Sequence, residues 1–274
     1  MTDPSQPQWA LSTIDQDGQP TACLEIAGRL YRLEPALARA GLPGITAVID
    51  LFGDWDRARA ALDAAAADAS QWEPVASGRR LAPLNPGKIL CAGANYYDHL
   101  KEMGVADTRK EAQRLFFFMK PPRNAVVGEG DTVHMPIDTG AFDWEIELAA
   151  VIGRRARNVP VETAIDHVAG YTVAIDFSAR DHNRAPETFY KLDWVAGKAN
   201  DTCCPLGPRM VPAAALPDPQ DVGLRLFVNG ALKQDGRSTD MIFSVAEQVA
   251  IASRIMTLDP GDVLLTGTPA GVGA

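Results

Sequence analysis

The spacing of apolar residues changes along the chain and predicts two regions of different structure. Residues 9–14 and 21–26 are short runs of strand-forming residues separated by a turn, which predicts paired strands. The alanine-rich stretch 55–68 predicts a helix, which continues a helical stretch that begins near Ile45. Two prolines and a glycine within 82–87 predict a linker that ends this first region.

Beyond the linker, apolar runs of strand length are separated by loops rich in Gly and Pro. The predicted strands are 88–92, 115–119, 145–152, 170–176, 222–228 and 262–266. Ser244 and Glu247 have capping-box spacing, and we expect an apolar helix face formed by Val245, Val249, Ala252 and Ile255. Because strands and helices do not alternate, we predict an α+β, mainly β fold. A small N-terminal domain at 1–84 precedes a larger domain at 85–274.

Composition and charge exclude several classes of function. The net charge is −9 and no segment concentrates Lys and Arg, so we predict no nucleic-acid partner. No apolar run reaches the roughly 18 residues of a membrane helix, and the polar lead 1–7, expected to be disordered, lacks the core of a signal peptide. Four cysteines without a pairing pattern indicate reduced thiols in a cytoplasmic protein: Cys23, Cys91, Cys203 and Cys204.

The most informative feature is a pair of glutamates inside an apolar run. Glu145 and Glu147 lie two positions apart in the run 142–152, so their side chains point to the same face of a strand. Two such carboxylates repel each other, and burying either one unpaired costs several kcal/mol. A divalent metal between them would offset this cost. The alternative is a solvated strand face that carries two acids.

A third acid completes the metal hypothesis. Asp176 ends the apolar strand 170–176, and three carboxylates from two strands would suit Mg²⁺ or Mn²⁺, which prefer hard oxygen ligands and keep positions open for substrate. The alternatives are that Asp176 caps a turn or pairs with Arg180.

A candidate general base lies in the short helical segment 95–104. His99 and Glu102 are three residues apart, so the acid can orient the imidazole and raise its basicity toward a water molecule. A surface ion pair would have the same spacing. Lys198 could neutralise a substrate carboxylate or a developing enolate. The glycine-rich loop 266–273 could offer backbone N–H groups and hydroxyls to an anion, although it matches no nucleotide-binding motif.

Taken in order, these motifs resemble the fumarylacetoacetate hydrolase family, specifically its short, bacterial acylpyruvase-like members. The resemblance extends from about Lys88 to the end of the sequence. The runs that carry it are NYYDH at 95–99, FMKP at 118–121, EIE at 145–147, AIDFSARD at 174–181, GK at 197–198 and TGTPAGVG at 266–273. Six runs in this order, with Asp176 29 residues after Glu147, make chance a poor explanation.

The resemblance implies a mixed β-roll catalytic domain, a homodimer and a bound Mg²⁺, Mn²⁺ or Ca²⁺. It implies metal ligands Glu145, Glu147 and Asp176, catalytic residues His99, Glu102 and Lys198, and substrate-binding residues Arg180, Asn183, Thr268 and Lys120. Asn183 stands where many relatives carry Gln, and the insert 182–191, with Phe189, is expected to line the pocket. Most relatives continue beyond the position of Ala274, so a truncated chain is one interpretation.

The reaction implied is hydrolysis of a C–C bond in a 2,4-dioxo acid. In this hypothesis the metal chelates the 2-oxo acid and His99 activates a water that attacks the distal carbonyl. Pyruvate then leaves as an enolate stabilised by the metal and Lys198. Two alternatives stay open: a decarboxylase or keto–enol isomerase of a 2-oxo dicarboxylic acid, and a non-catalytic metal- or ligand-binding relative. The substrate tail is open too, since acylpyruvates, sugar-derived diketo acids and ring-fission products all fit.

Overall fold

A computed structural model describes residues 9–273, so the polar lead predicted at 1–7 lies outside the described residues. The strands are β1 (Ala10–Gln16), β2 (Gln19–Ile26), β3 (Arg29–Arg32), β4 (Arg79–Leu81), β5 (Ile89–Gly93), β6 (Phe116–Lys120), β7 (Val126–Val127), β8 (Phe142–Asp143), β9 (Ile146–Ile152), β10 (Val168–Ile175), β11 (Ser178–Ala179), β12 (Arg184–Ala185), β13 (Lys191–Leu192), β14 (Cys204–Pro205), β15 (Val211–Pro212), β16 (Gly223–Val228), β17 (Ala231–Arg237) and β18 (Val263–Leu265). The α-helices are α1 (Leu33–Arg39), α2 (Trp55–Ala67), α3 (Tyr97–Glu102), α4 (Pro122–Ala125), α5 (Val161–Ala164), α6 (Arg180–Asn183), α7 (Trp194–Lys198) and α8 (Val245–Ile255). Short 3-10 turns lie at Val48–Asp54, Ala69–Gln71, Lys110–Ala112, Ile165–His167, Ala213–Ala215 and Ser238–Asp240.

The strands form two main sheets, and the α+β fold predicted from the sequence is confirmed. An antiparallel sheet has the order β3-β2-β1-β4, and a mixed sheet has the order β15-β10-β9-β18-β5-β6. In the mixed sheet β18 and β5 run parallel, whereas the other neighbours are antiparallel. Each strand predicted above is present, with ends within two residues of the prediction. The elements that the sequence analysis missed include α1, β4, the short helices α4 to α7 and β17, the last of which pairs with β16 in a hairpin.

The mixed sheet lies between two hydrophobic cores. One core joins α1, α2 and the first sheet to one face of β5, β9 and β18, while α8 and β16 pack with the other face. Strand β9 is therefore buried along its whole length, which explains its unbroken apolar run. Sheet membership changes between Leu81 and Ile89, but the two regions share a core, and the domain boundary at 84/85 stays a prediction.

Helix α8 begins at the predicted capping box. The Ser244 hydroxyl accepts a bond from the Glu247 N–H at 3.3 Å, and the Glu247 carboxylate accepts one from the Ser244 N–H at 2.8 Å. The predicted apolar face is wrong at its last position, because Ile255 is 60% exposed at the end of the helix. Across residues 9–273, no helix combines the length and apolarity needed to cross a bilayer.

Candidate active site

Strand pairing brings the three predicted acids together. Ala174 of β10 faces Glu147 of β9, and the Asp176 N–H donates to the Glu145 carbonyl at 2.8 Å. One carboxylate oxygen from each of Glu145, Glu147 and Asp176 lies within 4.8 Å of the other two. The three residues are only 5%, 1% and 0% exposed, respectively, so the alternative of a solvated strand face is wrong.

Cationic side chains surround two of the three acids. The Lys198 ammonium lies 2.8 Å from both Glu145 and Asp176, and the Lys120 ammonium lies 2.6 Å from Asp176 Oδ1. Arg180 contacts Glu145 at 2.5 Å and Asp143 at 2.8 Å. Asp176 therefore pairs with two lysines, and the alternative that it pairs with Arg180 is wrong.

Glu147 is the exception within this trio. Its carboxylate accepts a hydrogen bond from the Gly267 N–H at 2.5 Å, and in the described part of the chain no cationic side chain pairs with it. Burial, reinforced by the charges of Asp176 and Glu145, raises the pKa of Glu147 well above its ordinary value. For Asp176 burial acts in the same direction, but Lys120 and Lys198 outweigh it and lower the pKa.

The donor set fits a hard divalent cation. Three carboxylate oxygens converge in a buried position, and Glu147 has no cationic partner among residues 9–273. Oxygen-only donors of this kind favour Mg²⁺, Mn²⁺ or Ca²⁺ over softer metals. The buried Asp176 Oδ1 also lacks a hydrogen bond of good geometry, although Lys120 lies close to it.

Helix packing positions Lys198. Asp193 caps α7, since its side chain accepts a bond from the Ala196 N–H at 2.9 Å. A Cβ added to Gly197 would lie 2.5 Å from the Asn183 Cβ, so only glycine lets α7 approach α6 this closely. The Asn183 amide donates to the Asp193 carbonyl at 3.2 Å, and Asn183 therefore connects these helices.

The predicted base sits on α3 and is held against the glycine-rich loop. His99 Nδ1 lies 2.9 Å from a Glu102 oxygen, and the other Glu102 oxygen accepts the Gly271 N–H at 2.9 Å. Asp98 similarly accepts the Ala270 N–H at 3.2 Å. His99 is 4% exposed, whereas the Glu102 side chain is 32% exposed, so only the imidazole of this pair is buried. Nε2 is the ring nitrogen left for a water or a substrate.

Gln234, which the sequence analysis missed, connects the loop to the acidic strand. Its amide donates to Thr268 Oγ1 and to the Pro269 carbonyl, both at 2.8 Å, and accepts the Ile146 N–H at 2.9 Å. Thr268 Oγ1 donates in turn to the Ile146 carbonyl at 2.8 Å. Within residues 9–273 the Thr268 backbone N–H donates to no protein acceptor, so it is the donor that Thr268 has left for a ligand. The only signal of this role in the sequence is that Gln234 is a polar residue, and the hairpin that carries it is otherwise exposed.

These groups line one cavity of about 250 Å³. Its walls are formed by Ala92, Gly93, Ala94, His99, Met103, Phe116, Phe118, Glu145, Glu147, Arg180, Trp194, Lys198 and Thr268. Glu102, Asp176, Lys120 and Asn183 are not part of this lining, although Asp176 contacts Lys198 of the lining at 2.8 Å and Lys120 contacts Asp176 at 2.6 Å. The expectation that Phe189 lines the pocket is wrong, because its side chain is 89% exposed on the β12–β13 hairpin.

Residues 88–274 match the family model described as fumarylacetoacetate (FAA) hydrolase C-terminal, and the chain belongs to the fumarylacetoacetate hydrolase family. It is 43% identical over 194 residues to the mitochondrial oxaloacetate tautomerase fahd2 of Xenopus laevis, covering 70% of this chain and 58% of that protein. The chain thus spans less than two thirds of the tautomerase it matches.

Solved structures extend the similarity over nearly the whole chain. A fumarylacetoacetate hydrolase from Exiguobacterium antarcticum is 33% identical, with a TM-score of 0.78 over 97% of this chain and 88% of that one. Fumarylpyruvate hydrolase from Pseudomonas aeruginosa, in complex with Mn²⁺ and pyruvate, is 38% identical, with a TM-score of 0.63 over 72% of this chain and 83% of that one. Other similar structures include a maleylpyruvate hydrolase and a diene-dioate isomerase. Enzymes of several reaction types therefore share this fold.

Proposed function

We propose that the protein is a metal-dependent hydrolase that cleaves a C–C bond in 2,4-dioxo acids and releases pyruvate. The observation that carries this proposal is that His99, whose Nδ1 lies 2.9 Å from Glu102, lines the same cavity as Glu145 and Glu147. A site with both a cation-binding acid trio and an oriented base has what a hydrolase needs: a place for the 2-oxo acid and a group that activates water.

The side chains have distinct roles in this reaction. A divalent cation held by the three acids would supply Lewis-acid stabilisation of negative charge on the substrate. His99, oriented by Glu102, takes a proton from water while the water oxygen bonds to the distal carbonyl carbon. The C–C bond on the pyruvate side then breaks, its electron pair stays with the pyruvate fragment, and His99 returns the proton to that carbon. The Lys198 ammonium and the Thr268 N–H offset charge on the 2-oxo acid.

The second candidate is keto–enol tautomerisation of a 2-oxo acid. It is favoured by the 43% identity to an oxaloacetate tautomerase. The same base could move a proton between carbon and solvent without adding water to a carbonyl. The two candidates differ in their products, since hydrolysis yields two acids and tautomerisation yields one isomer.

The test is turnover of acetylpyruvate and of enol-oxaloacetate by protein loaded with Mg²⁺ or Mn²⁺. We expect acylpyruvate cleavage that is lost in excess EDTA and restored by added metal. His99→Ala should lower kcat about 10²–10⁴-fold while metal affinity is retained. His134→Ala, at an exposed histidine outside the cavity, is the matched control and should have no effect. Cleavage that persists in EDTA would exclude the mechanism, and retained ligand binding without turnover would indicate a non-catalytic relative.

The homodimer also stays a proposal, and sedimentation equilibrium of the purified protein tests it. A monomer at micromolar concentration would contradict it.

A further inference from the structure

One face of strand β6 extends from the mouth of the cavity to the acid trio. Side chains alternate along a strand, so Phe116, Phe118 and Lys120 share a face. Lys120 is fully buried against Asp176, Phe118 lies under the Lys198 ammonium at 4.9 Å, and Phe116 is 39% exposed at the outer end. The strand thus changes from cationic at the metal end to aromatic at the mouth.

Trp194 completes an aromatic wall, which we define as Phe116, Phe118 and Trp194. Its ring stacks on Phe118 with centroids 5.1 Å apart and an interplanar angle of 14°, and it meets Phe116 at 5.2 Å. The Phe116 ring lies across Gly93 of the neighbouring strand, where an added Cβ would be only 2.1 Å from the ring. Glycine at position 93 is therefore required for this ring position, and the wall is fixed by packing.

Every cationic or ionisable basic side chain of the lining is already paired. Lys198 is shared by Glu145 and Asp176, Arg180 is shared by Asp143 and Glu145, and His99 is paired with Glu102. The outer part of the lining is apolar, with Met103 beside the aromatic wall. Each cation among the described lining residues thus already has a carboxylate partner, and a second carboxylate on the substrate would have to share it with a protein acid.

We infer that the substrate tail beyond the 2,4-dioxo group is apolar and uncharged, with a flat aryl group favoured over a second carboxylate. This inference rests on the proposed function, because the acid trio must hold the 2-oxo acid end for the tail to reach the aromatic wall. A tail carboxylate would lose hydration against three rings without gaining a cation of its own. An aryl tail would stack on the wall.

The experiment compares kcat/KM for benzoylpyruvate, acetylpyruvate and fumarylpyruvate with the Mn²⁺-loaded protein. We expect benzoylpyruvate to exceed fumarylpyruvate by about tenfold or more, the range typical of an apolar pocket. Equal or better turnover of fumarylpyruvate would overturn the inference and leave the proposed function standing. Calorimetric binding of phenylpyruvate and oxaloacetate decides the tail preference even without turnover. Tighter oxaloacetate binding would also overturn it, and failure of all 2-oxo acids to bind would overturn both proposals.

Variants distinguish the contribution of the aromatic wall to substrate preference from general effects on protein stability. Phe116→Ala should lower kcat/KM for benzoylpyruvate about tenfold more than kcat/KM for acetylpyruvate, because only the longer tail reaches this ring. Phe227→Ala removes an exposed phenylalanine from the β16–β17 hairpin and is the matched control. Met103→Arg adds a cation to the outer part of the cavity lining. It should raise kcat/KM for fumarylpyruvate relative to kcat/KM for benzoylpyruvate. Equal losses for all substrates in Phe116→Ala, or no shift in Met103→Arg, would contradict the inference.

Discussion

Two buried glutamates in this protein have opposite electrostatic surroundings. Glu25 of β2 is 4% exposed, and both of its oxygens are paired: Arg80 lies at 2.8 Å, Arg209 at 2.9 Å, and the Ser12 hydroxyl donates at 3.0 Å. Glu147 is 1% exposed, faces two other carboxylates and has one backbone N–H as its hydrogen-bond donor.

The comparison separates a structural acid from a functional one. Burial alone does not mark a site, because Glu25 is almost as buried as Glu147. Its two guanidinium partners come from β4 and from the loop before β15, so Glu25 joins the two regions of the chain. Glu147 instead lies in a cluster of three carboxylates, with one oxygen of each within 4.8 Å of the other two. Unbalanced charge, more than buried charge, identifies the candidate metal position.

The largest expected effect comes from changing each glutamate to its neutral isostere. Glu147→Gln should weaken Mn²⁺ binding by about 100-fold or more, because it removes a charged ligand, without destabilising the metal-free protein. Glu25→Gln should lower the free energy of unfolding by about 1–2 kcal/mol and leave metal affinity unchanged, its arginine partners being partly exposed. Calorimetry measures metal affinity, and denaturant unfolding measures the free energy of unfolding. If both variants change the same quantity, the distinction between a structural and a functional glutamate is wrong.

Lys120→Met tests whether Lys120 acts through Asp176 or on the substrate. The buried ammonium donates to the carbonyls of Phe177 at 2.8 Å and Lys198 at 2.6 Å as well as lying against Asp176. Leaving these groups unpaired should cost about 3–5 kcal/mol of stability. Because Lys120 positions a ligand, metal affinity should fall about 10–100-fold. A higher KM with unchanged metal affinity would instead indicate the substrate contact implied by the family resemblance.

The raised pKa of Glu147 predicts that metal binding releases a proton. Below that pKa the carboxyl is protonated in the metal-free protein, whereas a metal ligand must be ionised. Metal affinity should therefore fall with falling pH, by up to about tenfold per pH unit in this range. Calorimetry at one pH in buffers of different ionisation enthalpy counts the protons. The Glu147→Gln variant should release fewer protons on metal binding than the parent protein. Equal proton release from the two proteins would show that another group titrates.

The smallest effect is expected from Gln234→Leu. Losing the amide leaves the Ile146 N–H and the Pro269 carbonyl without their partner, at a cost of about 1–3 kcal/mol in stability. Because Thr268 loses a fixed position, KM for a 2-oxo acid should rise severalfold while metal affinity changes less. Gln248→Leu, at a buried glutamine of α8 whose amide donates to the Phe243 carbonyl at 2.9 Å, is the control for losing a buried amide that does not contact Thr268. If both variants raise KM equally, Gln234 has no specific positioning role.

Much of the site was predictable because its residues lie in short local patterns. Alternation places Glu145 and Glu147 on one face, and the three-residue spacing of His99 and Glu102 places them on one helix turn. Gln234 and the aromatic wall were not predictable in this way. Their contacts join residues far apart in sequence, such as Gly93 with Phe116 and Gln234 with Thr268. Solvent exposure also distinguishes two nearby aromatic residues, because Phe189 is exposed whereas Trp194 lines the cavity.

The longer strands, the capped helix and the identity of the acids follow from local patterns in the chain, because these depend on periodicity and on spacing within one element. Which charges balance depends instead on how the elements pack. Pairing of β9 with β10 brings Asp176 beside the glutamates, and the packing of α7 brings Lys198 to two of them but not to Glu147. Electrostatic energy depends on distance and burial, and both are set by contacts between elements that no local pattern records.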